Sequence, residues 1–295
     1  MRISHEALEA CEPLLQGYLQ QVGVVNDFGY DLFRAVESHN SLFSETLRII
    51  SQYQSDRCRG AYCLLVNGLA WDAEIIIRTF YEAVAKNLFL SSALPEIQEN
   101  LLKEYWEILP AIYDIKGADR ADVAERLARR QGHEDNARVF AYLQNPDVFT
   151  LERIGNRQFR KEIEQRWSFS GIVSALNKNT SGHVRIASID TLLHGYGMAS
   201  HLAHASPKAM ELMEDRATRG DDLKILEIAH VGRMLSDMIS LTVFSLHQAQ
   251  IALIGMAPMA KVLQNAFNAM AKLTAPFQEQ FNRSQDGLYN ATPHR

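Results

Sequence analysis

Residues 75–90 read IIIRTFYEAVAKNLFL, and the fold class turns on them. No Gly or Pro interrupts the stretch, and the strict alternation of a half-buried strand is missing. Glu74, Arg78, Glu82 and Lys86 recur every four residues. In a helix each residue turns about 100°, so these four drift only about 40° per step and form one narrow polar stripe. Nearly all the remaining circumference is apolar: Ile75, Ile76, Ile77, Phe80, Tyr81, Val84, Leu88 and Phe89. That face is wider than a surface helix needs. The stretch therefore reads as a helix, and its stripe has two readings. It is either a surface ladder of ion pairs, each worth a few tenths of a kcal/mol, or the polar edge of a central helix that faces a shared polar cavity.

Helical periodicity extends outward in both directions. Helices are expected over 4–22, with Ser4 as the cap, then over 26–54, 56–91 and 96–114, the last bent at Pro110. The region 116–166 is more polar and reads as short helices broken near Gly132 and at 145–147. A loop is expected around 177–183, then a helix running to Pro207, a long helix over 221–254, and a last one from about 258. The whole reads as an all-α multi-helix bundle of roughly nine or more helices. Residues 1–283 form one domain with 116–166 as a polar helical insertion or cap, and 284–295 is a flexible tail.

Composition excludes several classes. Hydrophobic residues make up 47% and charged residues 22% of 295, ordinary proportions for a globular chain. Sixteen Gly and eight Pro are too few for the turn-rich sequence of an all-β fold. A net charge of −5 provides no global basic field for nucleic acid or acidic membranes. Three cysteines, Cys11, Cys58 and Cys63, imply no disulfide framework and no structural zinc site. The opening MRISHEALEACEPLL has acidic residues where a signal peptide needs an unbroken apolar core. The most apolar stretch, residues 238–256, is broken by His247, Gln248 and Gln250. A cytoplasmic protein with no membrane partner is expected.

Polar residues gather at 196–207, YGMASHLAHASP. Tyr196, Ser200 and His204 share one helical stripe, and Asp190, His194 and His201 a neighbouring one. Gly195 and Gly197 weaken the helix but permit close approach of another backbone or a ligand. In the late helix His230, Arg233, Asp237, Ser240 and His247 fall within one sector of about 100°. Buried charges must be paired, so three mainly apolar helices with polar stripes suggest one joint site.

The pairing of RTFYEAVAKNLFL with a much later YGMASHLAHASP resembles an uncharacterised all-helical bacterial family, domain of unknown function fifty-six seventy-seven. The resemblance spans roughly 50–255 and rests on Arg78 and Glu82 in the first element and Tyr196, Ser200 and His204 in the second. It implies a helical fold and a set of positions, and no reaction.

A HEPN-type ribonuclease carries Arg and His with four to six residues between them. Arg34 with His39 and Arg126 with His133 have such spacing, at a frequency chance alone would produce. Asp190, His194 and His201 could ligate a metal, but no HExxH or paired ExxH set accompanies them, and neither metal nor cofactor is expected. No nucleophile elbow, phosphate-binding loop or dinucleotide fingerprint is present. In RIGNRQFRKEIEQRW, Arg153, Arg157 and Arg160 share a face near Trp167 and Phe169, a pattern that can neutralise phosphates and stack bases. The leading expectation is a polar site of Arg78, Glu82, Tyr196, Ser200 and His204, with Asp237, Arg233 and His201 in support, acting as a metal-independent ribonuclease. The alternative is a non-enzymatic helical module that binds a protein or nucleic-acid partner. A homodimer is compatible with either.

Overall fold

The structure, a computed structural model, describes residues 2–37, 41–144, 153–178, 182–186, 189–220 and 222–291. The helices are α1 His5–Ala10, α2 Glu12–Val36, α3 Leu42–Leu65, α4 Ala70–Ser91, α5 Pro95–Lys103, α6 Leu109–Arg130, α7 Glu134–Tyr142, α8 Arg157–Arg166, α9 Phe169–Lys178, α10 Leu192–Ala203, α11 Pro207–Thr218, α12 Leu223–Ile254 and α13 Lys261–Ala291. The fold is all-α. Among the described residues no strand forms, and only an isolated bridge joins Ala93 to His183.

The stretch 75–90 lies at the centre. α4 packs between α3 and α12, and α2 and α13 close the bundle around α12. Ile77, Phe80, Val84 and Leu88 are fully buried. The core continues through Leu14, Leu47, Leu65, Met234 and Leu235. α9 and α10 lie against α4 on the side α3 and α12 leave free. α4 is therefore a central helix, buried over most of its circumference.

Helix boundaries differ from the periodic reading. The first two expected helices meet without a break, because α2 runs on through Gly23 and Asn26. Ser41 opens α3 by accepting from the Ser44 backbone N–H. The expected helix 56–91 is two helices. α3 ends at Leu65, and the chain turns through Gly68 at φ +72°, a conformation glycine adopts freely. Ser4 caps α1 as expected, accepting from Ala7 N–H. The segment from 284, expected as a loose tail, continues α13 as far as Ala291.

The α5–α6 region is one continuous helical path with a π-helical turn over Glu104–Ile108. Pro110 lacks an N–H and would clash with the carbonyl four residues earlier, and the wider turn just before it relieves both. The proposed insertion start at 116 therefore falls inside α6. Gly132, at φ +75°, turns the chain from α6 into α7, and these two helices pack chiefly on each other. The break expected at 145–147 lies outside the described residues, as do His39 and part of the 177–183 loop.

Cys11 and Cys58 are buried, and desolvation pushes both thiols up to about 12. Cys63 is exposed, and all three are free. Among the described residues no helix is long and apolar enough to cross a membrane.

Candidate functional site

α4 distributes its stripe to two partners. Arg78 and Glu82 turn toward α10. Arg78 Nη1 lies 3.3 Å from His204 Nε2, and Nη2 donates to the Tyr196 hydroxyl at 3.2 Å. That hydroxyl in turn donates to Glu82 Oε1 at 3.0 Å. Arg78 also approaches Glu82 directly, at 3.6 Å. A guanidinium can only donate, so in this contact His204 Nε2 is the acceptor. Phe169 stacks on the Tyr196 ring with centroids 3.9 Å apart and planes 14° from parallel, which fixes the ring. Burial raises the Tyr196 pKa, Arg78 opposes the rise, and the Glu82 charge adds to it.

α10 ends at Ala203, so His204 is its exposed C-cap and not a mid-helix residue. Two residues on, Ser206 caps α11 by accepting from Ala209 N–H, and Pro207 begins that helix. YGMASHLAHASP thus holds one helix end and the next helix start. His201 Nδ1 lies 3.1 Å from Ser206 Oγ, so it serves this junction and does not join the Arg78 cluster. Ser200 is half-buried, and among the described residues its hydroxyl makes no hydrogen bond to the cluster. Gly195 uses its missing side chain: a Cβ there would lie 3.0 Å from Tyr81 Oη. Gly197 faces open space.

Glu74 and Tyr81 turn the other way, toward α12. Glu74 is 1% exposed, and its Oε2 accepts from His230 at 2.8 Å and from Arg233. Arg233 Nη1 also donates to Tyr81 Oη at 3.1 Å and to Asp237 Oδ2 at 2.9 Å. Tyr81 closes the circuit by donating to Asp237 Oδ2 at 2.6 Å. Burial alone would raise the Glu74 pKa, but the His230 hydrogen bond and the Arg233 charge outweigh it and hold it below the usual range. At Asp237 burial wins over Arg233, and the pKa goes up. The same burial, with Asp237 beside it, pushes Tyr81 far up. Arg233 and Asp237 therefore belong to a second network, against the expectation of one joint site. Ser240 and His247 extend their sector along α12, and among the described residues neither hydrogen-bonds to either cluster.

The expected base-stacking aromatics are not available. Trp167 is buried, donating to Glu104 Oε2 at 2.8 Å and meeting Phe89 edge-on, and Phe169 is buried against Tyr196. Of the basic face, Arg160 donates to the Ile154 carbonyl at 2.7 Å and Arg153 lies over the Phe159 ring at 4.5 Å, while Arg157 is exposed. Arg126 pairs with Asp122, and His133 precedes α7 as its N-cap. Among the described residues no three His, Cys, Asp or Glu side chains gather as a metal site, and Asp190, His194 and His201 do not converge on one.

Comparison with protein-family models, with curated proteins and with solved structures found no match. These comparisons therefore lend no support to the family resemblance read from Arg78, Glu82, Tyr196, Ser200 and His204.

Proposed function

We propose that the Arg78–His204 cluster is a metal-independent phosphodiester hydrolase site acting on RNA. The observation that carries this is the 3.3 Å contact of Arg78 with His204, from helices 126 residues apart, with His204 exposed at a helix end. A phosphodiester entering between them would take the Arg78 donors and release the His204 Nε2 lone pair. His204 then removes the proton of the ribose 2′-hydroxyl. The 2′-oxygen forms a bond to phosphorus, the bond to the 5′-oxygen breaks, and that oxygen takes a proton from solvent. The products are a 2′,3′-cyclic phosphate and a 5′-hydroxyl end. Arg78 stabilises the charge that grows on the phosphoryl oxygens, Glu82 and Tyr196 hold Arg78 in place, and Ser200, on the same helical stripe, supplies a further donor.

The test is cleavage of a single-stranded RNA oligonucleotide in the presence of EDTA. His204→Gln keeps an acceptor for Arg78, so its melting temperature should match the parent while the rate falls by about a hundredfold or more. Ser200→Ala should be milder. An inactive parent, or a His204→Gln variant as active as the parent, would overturn the proposal. An inactive parent would favour the second reading, an interaction module. Its support is the α6–α7 hairpin, where Val123, Leu127, Val139, Tyr142 and Leu143 are all exposed.

A further inference from the structure

The opposite face of α10 covers a cavity of about 370 Å³ bounded by α4, α10, α11, α12 and α13. α10 contributes Gly195 and, on the face turned from the first cluster, His194, Met198 and Leu202. The latter three stand two positions off Tyr196, Ser200 and His204, about 200° round the helix, so the cavity is independent of the site proposed above. Trp71, Met198, Leu202, Leu212, Leu226 and Phe281 give it apolar walls. Small-molecule sites have this form, an apolar body with a few convergent polar groups.

Among the described residues, two polar side chains in its wall each keep a buried atom without a partner. Glu74 binds His230 and Arg233 through Oε2, while Oε1 is buried and accepts no hydrogen bond among the described residues. Arg216, from α11, keeps Nη1 buried and equally unpartnered. The acidic groups nearest Arg216 are engaged elsewhere. Asp215 pairs with Arg219 at 2.8 Å, and Glu227 accepts from Ser4 backbone N–H and hydroxyl at 3.1 and 2.9 Å. Burial accordingly pushes the Arg216 pKa down, and the neighbouring Arg219 charge adds to the fall. Folded proteins leave few buried polar groups unsatisfied. Two that line one apolar cavity, a carboxylate oxygen and a guanidinium nitrogen, define the chemistry of a ligand that would fit it.

We propose that this cavity binds a small carboxylic acid with an apolar body and an amino or hydroxyl donor. The carboxylate pairs with Arg216, the donor reaches Glu74 Oε1, and the body lies among Trp71, Leu212 and Phe281. A single free guanidinium in mainly apolar walls suits one negative charge and not a phosphate. The other arginine, Arg233, is already committed to Glu74, Tyr81 and Asp237.

The test uses three probes with one phenyl body and one carboxylate: phenylalanine with an ammonium donor, phenyllactate with a hydroxyl, and 3-phenylpropanoate with neither. Titration calorimetry on the full chain should show saturable one-to-one binding of phenylalanine or phenyllactate. 3-Phenylpropanoate should bind about tenfold more weakly or worse, because it leaves Glu74 Oε1 unanswered. Arg216→Gln, on the outer helix α11, should weaken the better probe by about tenfold or more, and Leu212→Trp should fill the cavity and abolish binding. Circular dichroism checks both folds, and Arg216→Gln alone decides if Leu212→Trp does not fold. The proposal is overturned if no probe binds up to about 10 mM, well above the millimolar range of weak specific sites. It is equally overturned if 3-phenylpropanoate matches the donor-bearing probes, or if Arg216→Gln binds as the parent does.

Discussion

Glu74 and Asp237 face the same guanidinium from two helices and respond to it in opposite ways. Glu74 is buried, but its hydrogen bond from His230 and the Arg233 charge outweigh desolvation and depress its pKa. A depressed value adds stability that is present above the ordinary glutamate value and is lost as pH falls through the folded one. Burial dominates at Asp237, whose raised value works the other way: its contribution is present below the ordinary aspartate value and is lost as pH rises through the folded one. About a third of the Asp237 side chain meets solvent, at 34% exposure, so this second effect is screened and small. Glu74→Gln leaves Arg233 and His230 facing a neutral amide, and breaking a buried pair in this way costs about 3–5 kcal/mol. Asp237→Asn still offers Tyr81 an oxygen and should cost only about 1 kcal/mol. Urea unfolding at pH 7 compares the two, and equal losses would contradict this ranking. The parent should also lose stability as pH falls below the ordinary glutamate value of 4.5, with part of that slope missing in Glu74→Gln.

At the scale of the element, α10 is placed by what Gly195 lacks. A Cβ there would meet Tyr81 Oη at 3.0 Å and Cζ at 3.2 Å. Tyr81 cannot step aside, because its hydroxyl is held by both Arg233 and Asp237. Gly195→Ala should therefore destabilise by about 1–3 kcal/mol, the usual cost of overpacking. Gly197→Ala meets nothing and should instead stabilise by about 0.5–1 kcal/mol through helix propensity. Thermal melts of the two variants should move in opposite directions, and a shared direction would mean that α10 does not rest on Tyr81. The sequence marked both glycines alike, since close approach depends on a neighbour it does not name. The same limit explains the split of the α4 stripe. Four-residue spacing shows which side chains share a face of one helix, and so Arg78, Glu82, Tyr196 and His204 could be singled out. It does not show which helix lies opposite, so the spacing groups Glu74 with Arg78 and leaves Tyr81 on the apolar face. A short basic segment gives no sign that its aromatic end enters the core, so the sequence offers Trp167 and Phe169 to bases where the structure buries them.

Across the whole molecule, stability is expected to be uneven. α4 and α12 are packed on nearly every side, with α4 between α3 and α12 and α12 further enclosed by α2 and α13. Their amides can open only when most of that core is lost. The α6–α7 hairpin is different. Its inward side chains are small, Ala121, Ala128 and Ala137, while Tyr142 is 85% and Val139 61% exposed. Few apolar contacts tie it to the bundle, and elements of that kind open locally with less free energy than global unfolding requires. The composition of 116–166 already pointed to a less embedded segment, although its start inside α6 could not be seen, because a helix crosses that point without a change of period. Native-state hydrogen exchange in increasing denaturant tests this. Amides of α4 and α12 should share the highest opening free energy and a steep denaturant dependence. Those of α7 and the C-terminal half of α6 should exchange several kcal/mol more easily, with a shallow dependence that merges with the core only near the unfolding midpoint. If α7 instead exchanged with the free energy and slope of α12, the hairpin would belong to the same cooperative unit, and its exposed apolar residues would then sit on a rigid surface.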